Sequence, residues 1–231
     1  YIMKKTINVI LGVCALGLLY ICYHSIHDTE AFDAEIAARE AVVKARLIEI
    51  RQAEEAYKAQ HEGEYCADWN VLTEFVRSGK LPIVKKQGVL SDEQMEKGLT
   101  EASAAAIVNS GDQAQIAANG LQHFRRDTVW VSLCDSLFAY EGFEVDSLRY
   151  IPFSVGDTFE LQACPTSTRS GTIIQVMECC APDSSFLKNM GKLGQRSIYN
   201  RAEEANAKGA YAGLKIGELS SNWNNNAGNW E

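Results

Sequence analysis

The chain has 231 residues, 46% of them hydrophobic and 23% charged, and a formal net charge of −8. Its 30 acidic residues against 22 basic ones argue against nucleic acid or an anionic lipid surface as a partner. The length suffices for one good core or two small ones.

Residues 7–26 read INVILGVCALGLLYICYHSI, and residues 6–23 hold no charged side chain. An α-helix rises about 1.5 Å per residue and the hydrocarbon of a bilayer is about 30 Å thick, so about 20 apolar residues span it. The run predicts a membrane anchor over residues 6–26, with Ile7, Leu11 and Leu18 in the apolar body and Tyr20 and Tyr23 in an interfacial aromatic belt. The rival readings are a cleaved or a lipidated signal. A cleaved signal has an apolar core of about 7–15 residues and a small-x-small site, and Tyr20-Ile21-Cys22-Tyr23-His24 offers none. Lipidation at Cys14 leaves a very short core and puts Val13 before the cysteine. Met3 reads as the start of translation, behind Tyr1 and Ile2. Lys4 and Lys5 precede the run and Asp28, Glu30, Asp33 and Glu35 follow it. The positive-inside rule then places residues 1–5 in the cytoplasm and the remainder in the periplasm, as a single-pass protein of the inner membrane.

Residues 27–62 predict an amphipathic stem helix continuing the anchor, with a bend near residues 24–29. Ile36, Val43, Ile50 and Tyr57 recur every seven residues, flanked by Leu47 and Ala53. Arg46, Glu49, Glu54 and Lys58 fill the wet face, with Glu54 and Lys58 as an i,i+4 pair. The stripe has two uses: residues 47–57 against the protein's own sheet, and residues 32–43 either there or against a partner helix. Ile36, Val43, Ile50 and Tyr57 are thus the candidate partner-helix interface.

Residues 63–219 predict an α+β domain. Gly63 closes the stem. Asp68 caps a short helix carrying Trp69, Leu72, Phe75 and Val76, which Gly79 ends. Pro82 forces an extended exit, and Ser91 with Gln94 forms a capping box. Residues 99–119 predict helix or connection. Residues 128–133, 147–153, 158–164 and 172–180 predict strands of an antiparallel sheet. The turn over residues 165–171 sets Leu161 opposite Ile174 and Phe159 opposite Val176. A helix is expected around residues 198–208. Residues 220–231 are an Asn-rich and Trp-rich tail with Trp223 and Trp230, docked or disordered.

The stretch 45–82 resembles the start of type IV pilin-like proteins, especially the pseudopilins of type II secretion. The matching residues are Ile48-Glu49-Ile50-Arg51-Gln52-Ala53, Tyr57, Gly63-Glu64-Tyr65, Trp69, Leu72, Phe75-Val76 and Leu81-Pro82. The resemblance implies a pilin-like fold: a membrane helix running into an amphipathic one, a short helix, then an antiparallel sheet. The chain departs from that pattern in having neither a Gly-Phe peptidase site nor a glutamate five residues into the apolar segment, which implies a permanent anchor. The stretch 149–153 and the Gly-Asn-Trp-Glu ending are also similar to single-pass membrane proteins of Bacteroidota, a likeness that implies no activity.

Catalytic chemistry is thinly represented. No G-x-x-x-x-G-K-[ST], G-x-S-x-G or H-E-x-x-H occurs. Among the seven cysteines, Cys14 and Cys22 lie in the anchor, and Cys66, Cys134, Cys164, Cys179 and Cys180 are exported in odd number without zinc-type spacing. Cys179 and Cys180 fall on opposite faces of a strand. Cys66 lacks a spaced histidine, leaving His61 and His123 as candidates only through the fold. His24 and His27 read as interfacial polar residues. The expectation is a membrane-anchored structural or scaffolding protein of the cell envelope, with no catalytic activity, cofactor or metal. Its partner, a protein or a second copy, would bind through the stem helix or a sheet edge. The alternative is a membrane-tethered ligand- or glycan-binding module built on Trp130 and Tyr150.

Overall fold

The computed structural model describes residues 2–168, 170–220 and 226–231, and the side chains of residues 2–10 and 24–26 lie outside that set. Expectations resting on Tyr1, on the side chains of Lys4, Lys5, Ile7 and His24, or on Trp223 therefore fall outside the described residues. In chain order the elements are α1 (Ile2–Gln60), α2 (Trp69–Ser78), β1 (Lys80–Gln87), α3 (Asp92–Glu96), α4 (Glu101–Ser110), α5 (Gln113–Ala118), β2 (Arg125–Ser132), α6 (Leu133–Leu137), β3 (Glu160–Ser167), β4 (Ile173–Pro182), α7 (Asp183–Phe186), α8 (Gly191–Lys208) and β5 (Gly213–Gly217). The class is α+β with antiparallel sheets and a long N-terminal helix. Two units divide the chain, one of residues 1–73 and 146–231 and one of residues 74–145.

In the first unit α1 runs unbroken for 59 residues, through residues 24–29. It stops where Gly63 takes φ +88° and donates its N–H to Lys58 O at 3.1 Å. Asp68 Oδ1 then accepts the Asn70 N–H at 2.7 Å and starts α2. Val43, Leu47, Ile50 and Ala53 of α1 are fully buried. They lie over the three-stranded sheet β3-β4-β5, where Leu161, Cys179 and Ile216 stand side by side on one face. The Trp69 indole N–H fixes the loop before that sheet by donating to Phe159 O at 3.0 Å.

The sheet register differs from expectation. Leu161 faces Cys179, and Val176 faces Cys164. The offset is odd, so it exchanges the faces of one strand relative to the other: Leu161 shares its face with Met177, Cys179 and Ala181, and Val176 is buried on the opposite face. The cause is Pro165. It sits within β3, an edge strand, where a missing N–H costs no ladder bond. The ladder runs on to Thr168, whose N–H donates to Thr172 O at 2.9 Å, and Gly171 takes φ +81° with its N–H on Thr168 O at 2.9 Å. Residues 147–153 are likewise not a strand. They form a 3-10 turn, Val145–Arg149, followed by a single bridge of Tyr150 to Thr158, because Pro152 breaks the run and Ser154 Oγ ties the chain back to Ile151 O at 2.7 Å.

The C-terminal residues lie along β5. Gly228 bridges to Ile216, the Asn229 N–H donates to Lys215 O at 2.9 Å, and the Lys215 N–H donates to Asn229 Oδ1 at 3.1 Å. Trp230 lies beneath Lys44, whose Nζ is 5.8 Å from the ring centre.

The second unit has its own small core of Leu90, Ala104, Ile116, Leu121 and Phe124. Its helices are defined by their caps: Ser91 and Gln94 close the expected box on α3, and Thr100 with Ser103 closes another on α4. The extended exit at Pro82 proves to be a full strand. β1 pairs antiparallel with β2, Pro82 facing Trp130 and Ile83 facing Val129.

Candidate functional site

The most unusual surface is the N-terminal part of α1. Every residue from 11 to 23 is exposed, with Leu11 at 64%, Leu18 at 63%, Tyr20 at 66% and Tyr23 at 69%. A β-carbon added at Gly12 or Gly17 would meet nothing within 4 Å. The segment is apolar on all sides and open to its surroundings along its length. Among the described residues no helix is long and apolar enough to cross a membrane. The side chains at either end of the run, residues 7–10 and 24–26, are outside those residues.

The candidate partner-helix stripe is taken up by the chain itself. Ile36 is 7% exposed, and Val43 and Ile50 are fully buried. Tyr57 is half-buried and stacks on His61 with ring centres 3.7 Å apart. The same geometry corrects the position of Glu54. A strict seven-residue spacing drifts by about 20° per repeat around a straight α-helix. Even after that drift Glu54, seven residues after Leu47 and four after Ile50, stays within the buried arc that Val43, Leu47 and Ile50 define.

Glu54 is the one fully buried carboxyl among the described residues. Its Oε2 accepts the Cys66 backbone N–H at 2.9 Å, while Oε1 has no partner. Burial pushes its pKa from 4.5 up to about 8, against the pull of the Cys66 N–H and with the help of the Glu55 charge. The side chain is therefore mainly a neutral acid at pH 7. It is not paired with Lys58, whose Nζ instead donates to Tyr65 Oη at 2.9 Å.

That tyrosine centres a latch. Tyr65 Oη donates to Glu55 Oε1 at 2.8 Å, and Asn226 Nδ2 donates to Tyr65 Oη at 2.6 Å and to Glu55 Oε1 at 2.8 Å. Asn226 is 2% exposed and holds φ +61°, a conformation asparagine accepts better than most residues. Arg51 adds bonds to Asn226 O at 3.3 Å and to Glu231 Oε1 at 3.1 Å. The C-terminal segment is thus fastened to α1.

The three buried cysteines, Cys66, Cys179 and Cys180, are not activated nucleophiles. All seven are free thiols. Burial raises Cys66, raises Cys179 well above its usual range and pushes Cys180 up to about 12, the opposite of what thiolate chemistry needs. The His61 Nδ1–H donates to Tyr57 O at 2.8 Å, and His123 is exposed. Among the described residues no group of three or more His, Cys, Asp or Glu is placed to hold a metal ion.

Two adjoining clefts of about 370 and 390 Å³ share Asp183 and Tyr211 beside α8. Their charges are already matched: Arg201 reaches Glu40 at 2.7 Å and Asp183 at 3.5 Å, and Lys208 reaches Glu204 at 2.6 Å. In the second unit a cleft of about 320 Å³ is lined by Val108, Phe124, Arg125 and Asp127 among others. Trp130 is 61% and Tyr150 44% exposed, and neither lines any of these three clefts.

No protein family, curated protein or solved structure matches the chain.

Proposed function

We propose that the chain is a membrane-anchored structural or scaffolding protein, a pilin-like body held at the periplasmic face of the inner membrane by the helix that also forms its core. The exposure of residues 11–23 carries this reading. Burial of a large aliphatic side chain is worth roughly 1.5–3 kcal/mol. Immersing Leu11, Val13, Leu16, Leu18, Leu19 and Ile21 in hydrocarbon therefore stabilises the chain by on the order of 10 kcal/mol. The pilin likeness draws support from α1, whose later part lies over an antiparallel sheet. The raised cysteines and the matched charges of the α8 clefts support a role without catalysis. Partners in this reading are the inner membrane and envelope proteins, not nucleic acid.

Membrane fractionation of the full chain tests the anchor. The protein should remain with membranes through an alkaline carbonate wash, and a Leu16→Lys, Leu19→Lys variant should move to the soluble fraction. Each lysine at the centre of a span costs about 2.5–3.5 kcal/mol. A parent chain released by carbonate would refute the anchor. Protease added from the periplasmic side should digest the body. Crosslinking and pull-down from native membranes should recover envelope proteins or further copies of the chain, and recovery only as an isolated monomer would refute the scaffolding role.

A further inference from the structure

β1 and β2 form a two-stranded ribbon, with no third strand among the described residues. Such a ribbon is marginal in water without further strands or a covering helix. Its middle is open on both faces: Val84 is 47% and Trp130 61% exposed on one, Ile83 43% and Val129 37% on the other.

The two outer edges differ in chemistry. β1 carries Pro82, which has no N–H to donate, and Lys85 and Lys86. Proline and lysine are the usual blocks to strand addition. β2 over residues 127–131 reads Asp-Thr-Val-Trp-Val. These are mostly strong strand formers, without proline or lysine, and their outer edge has no backbone partner among the described residues. One edge is open and the other is closed.

We propose that the open edge of β2 pairs antiparallel with β2 of a second copy about a two-fold axis at Thr128, giving a four-stranded sheet of order β1-β2-β2-β1. Two-fold symmetry sets a residue opposite itself. With Thr128 at the axis, Trp130 faces Arg126 of the second copy and Val129 faces Asp127, so no like charges oppose each other. Axes at Arg126 or Asp127 would set two guanidiniums or two carboxylates together, which is destabilising. A strand of uniform charge from another protein would meet its own sign at Asp127 or at Arg125 and Arg126, whereas a second copy sets every charge against an apolar or aromatic residue. The blocked β1 edges end the sheet at four strands, so the assembly closes as a dimer instead of growing into a fibre.

The test uses the full chain in detergent micelles, with mass read by light scattering. The parent should be a dimer. Thr128→Lys, which opposes two ammonium groups at an exposed position, should raise the dimer dissociation constant at least tenfold, with the circular dichroism spectrum unchanged. Directly opposed residues of an antiparallel pair have Cα atoms about 4.5–5.5 Å apart, within disulfide reach. Thr128→Cys should therefore give an oxidised dimer above the level of the parent's own cysteines, and Ser136→Cys, in α6, should not. If Thr128→Lys does not fold, the cysteine pair decides alone. A monomeric parent, a dimer indifferent to Thr128→Lys, or a crosslink at residue 128 no stronger than at residue 136 overturns the proposal. Membrane attachment does not enter this readout, so its failure leaves the anchor test untouched.

Discussion

Glu54 and Cys66 are joined by a buried hydrogen bond, the Cys66 N–H donating to Glu54 Oε2 at 2.9 Å. It ties the turn after α1 back onto the helix from which the turn departs. Burial raises the carboxyl from 4.5 to about 8, so the folded chain holds a proton that the unfolded chain has released above pH 4.5. Stability attributable to this group is complete below pH 4.5, falls as pH rises and levels off above pH 8. The loss across that interval is roughly 4–5 kcal/mol. Urea unfolding at pH 5, 7 and 9 should show this fall in the parent. Glu54→Gln should flatten it and be the more stable chain at pH 9. Equal slopes in the two chains would show that Glu54 does not titrate in this window.

The Tyr65 latch predicts a local effect. Tyr65→Phe removes the hydroxyl that Lys58, Glu55 and Asn226 share. The expected cost is about 1–2 kcal/mol, with faster amide exchange in residues 226–231 than in α8. Uniformly faster exchange, with no focus on that segment, would mean that the tail is held by other contacts.

Arg201 joins Glu40 of α1 to Asp183 of α7, and Asp183 is 5% exposed. Arg201→Met strands a buried carboxylate. The guanidinium is partly exposed, so the expected loss is about 2 kcal/mol, below that for a fully buried pair. Adding Asp183→Asn should restore at least half of it, as a double-mutant cycle would show. A double variant as weak as the sum of the singles would rule out coupling.

Ile50 separates core from interface. It is fully buried within its own chain, so Ile50→Ala should lower unfolding stability by about 2–5 kcal/mol. It should leave the carbonate-resistant membrane fraction of the folded protein unchanged. Loss of a copurifying partner at unaltered stability would return this residue to an intermolecular role.

The elements legible in the sequence were those set by local rules. The cap at Asp68, the box at Ser91 and Gln94 and the glycine end of α1 all follow from side chains within a few residues of one another. The α+β order followed from a change of period. What escaped depended on distant parts of the chain. Pro165 reads as a turn until the strand is known to be an edge. Glu54 looks solvent-facing beside Glu55 and Lys58, yet its spacing from Leu47 and Ile50 is that of a core position. The seven-residue step from Leu47 and the four-residue step from Ile50 both place it on the buried face, against the expectation raised by its charge. The tail docks through Asn226, Asn229 and Trp230 on residues far away in sequence, which no local pattern announces.

The continuity of α1 makes the segment between its bare apolar part and its core-forming part a rigid shaft. Each residue of an α-helix contributes about 1.5 Å of rise and about 100° of rotation. Residues 27–35 are almost wholly exposed and helical, so they set both the height of the first unit above the start of the shaft and the compass direction it faces. Lengthening this segment by four residues would lift that unit by about 6 Å and bring it back to within about 40° of its former bearing, whereas two residues would lift it by only about 3 Å and turn it to nearly the opposite side. A neighbour that must be met face-on would feel the shorter insertion far more than the longer one.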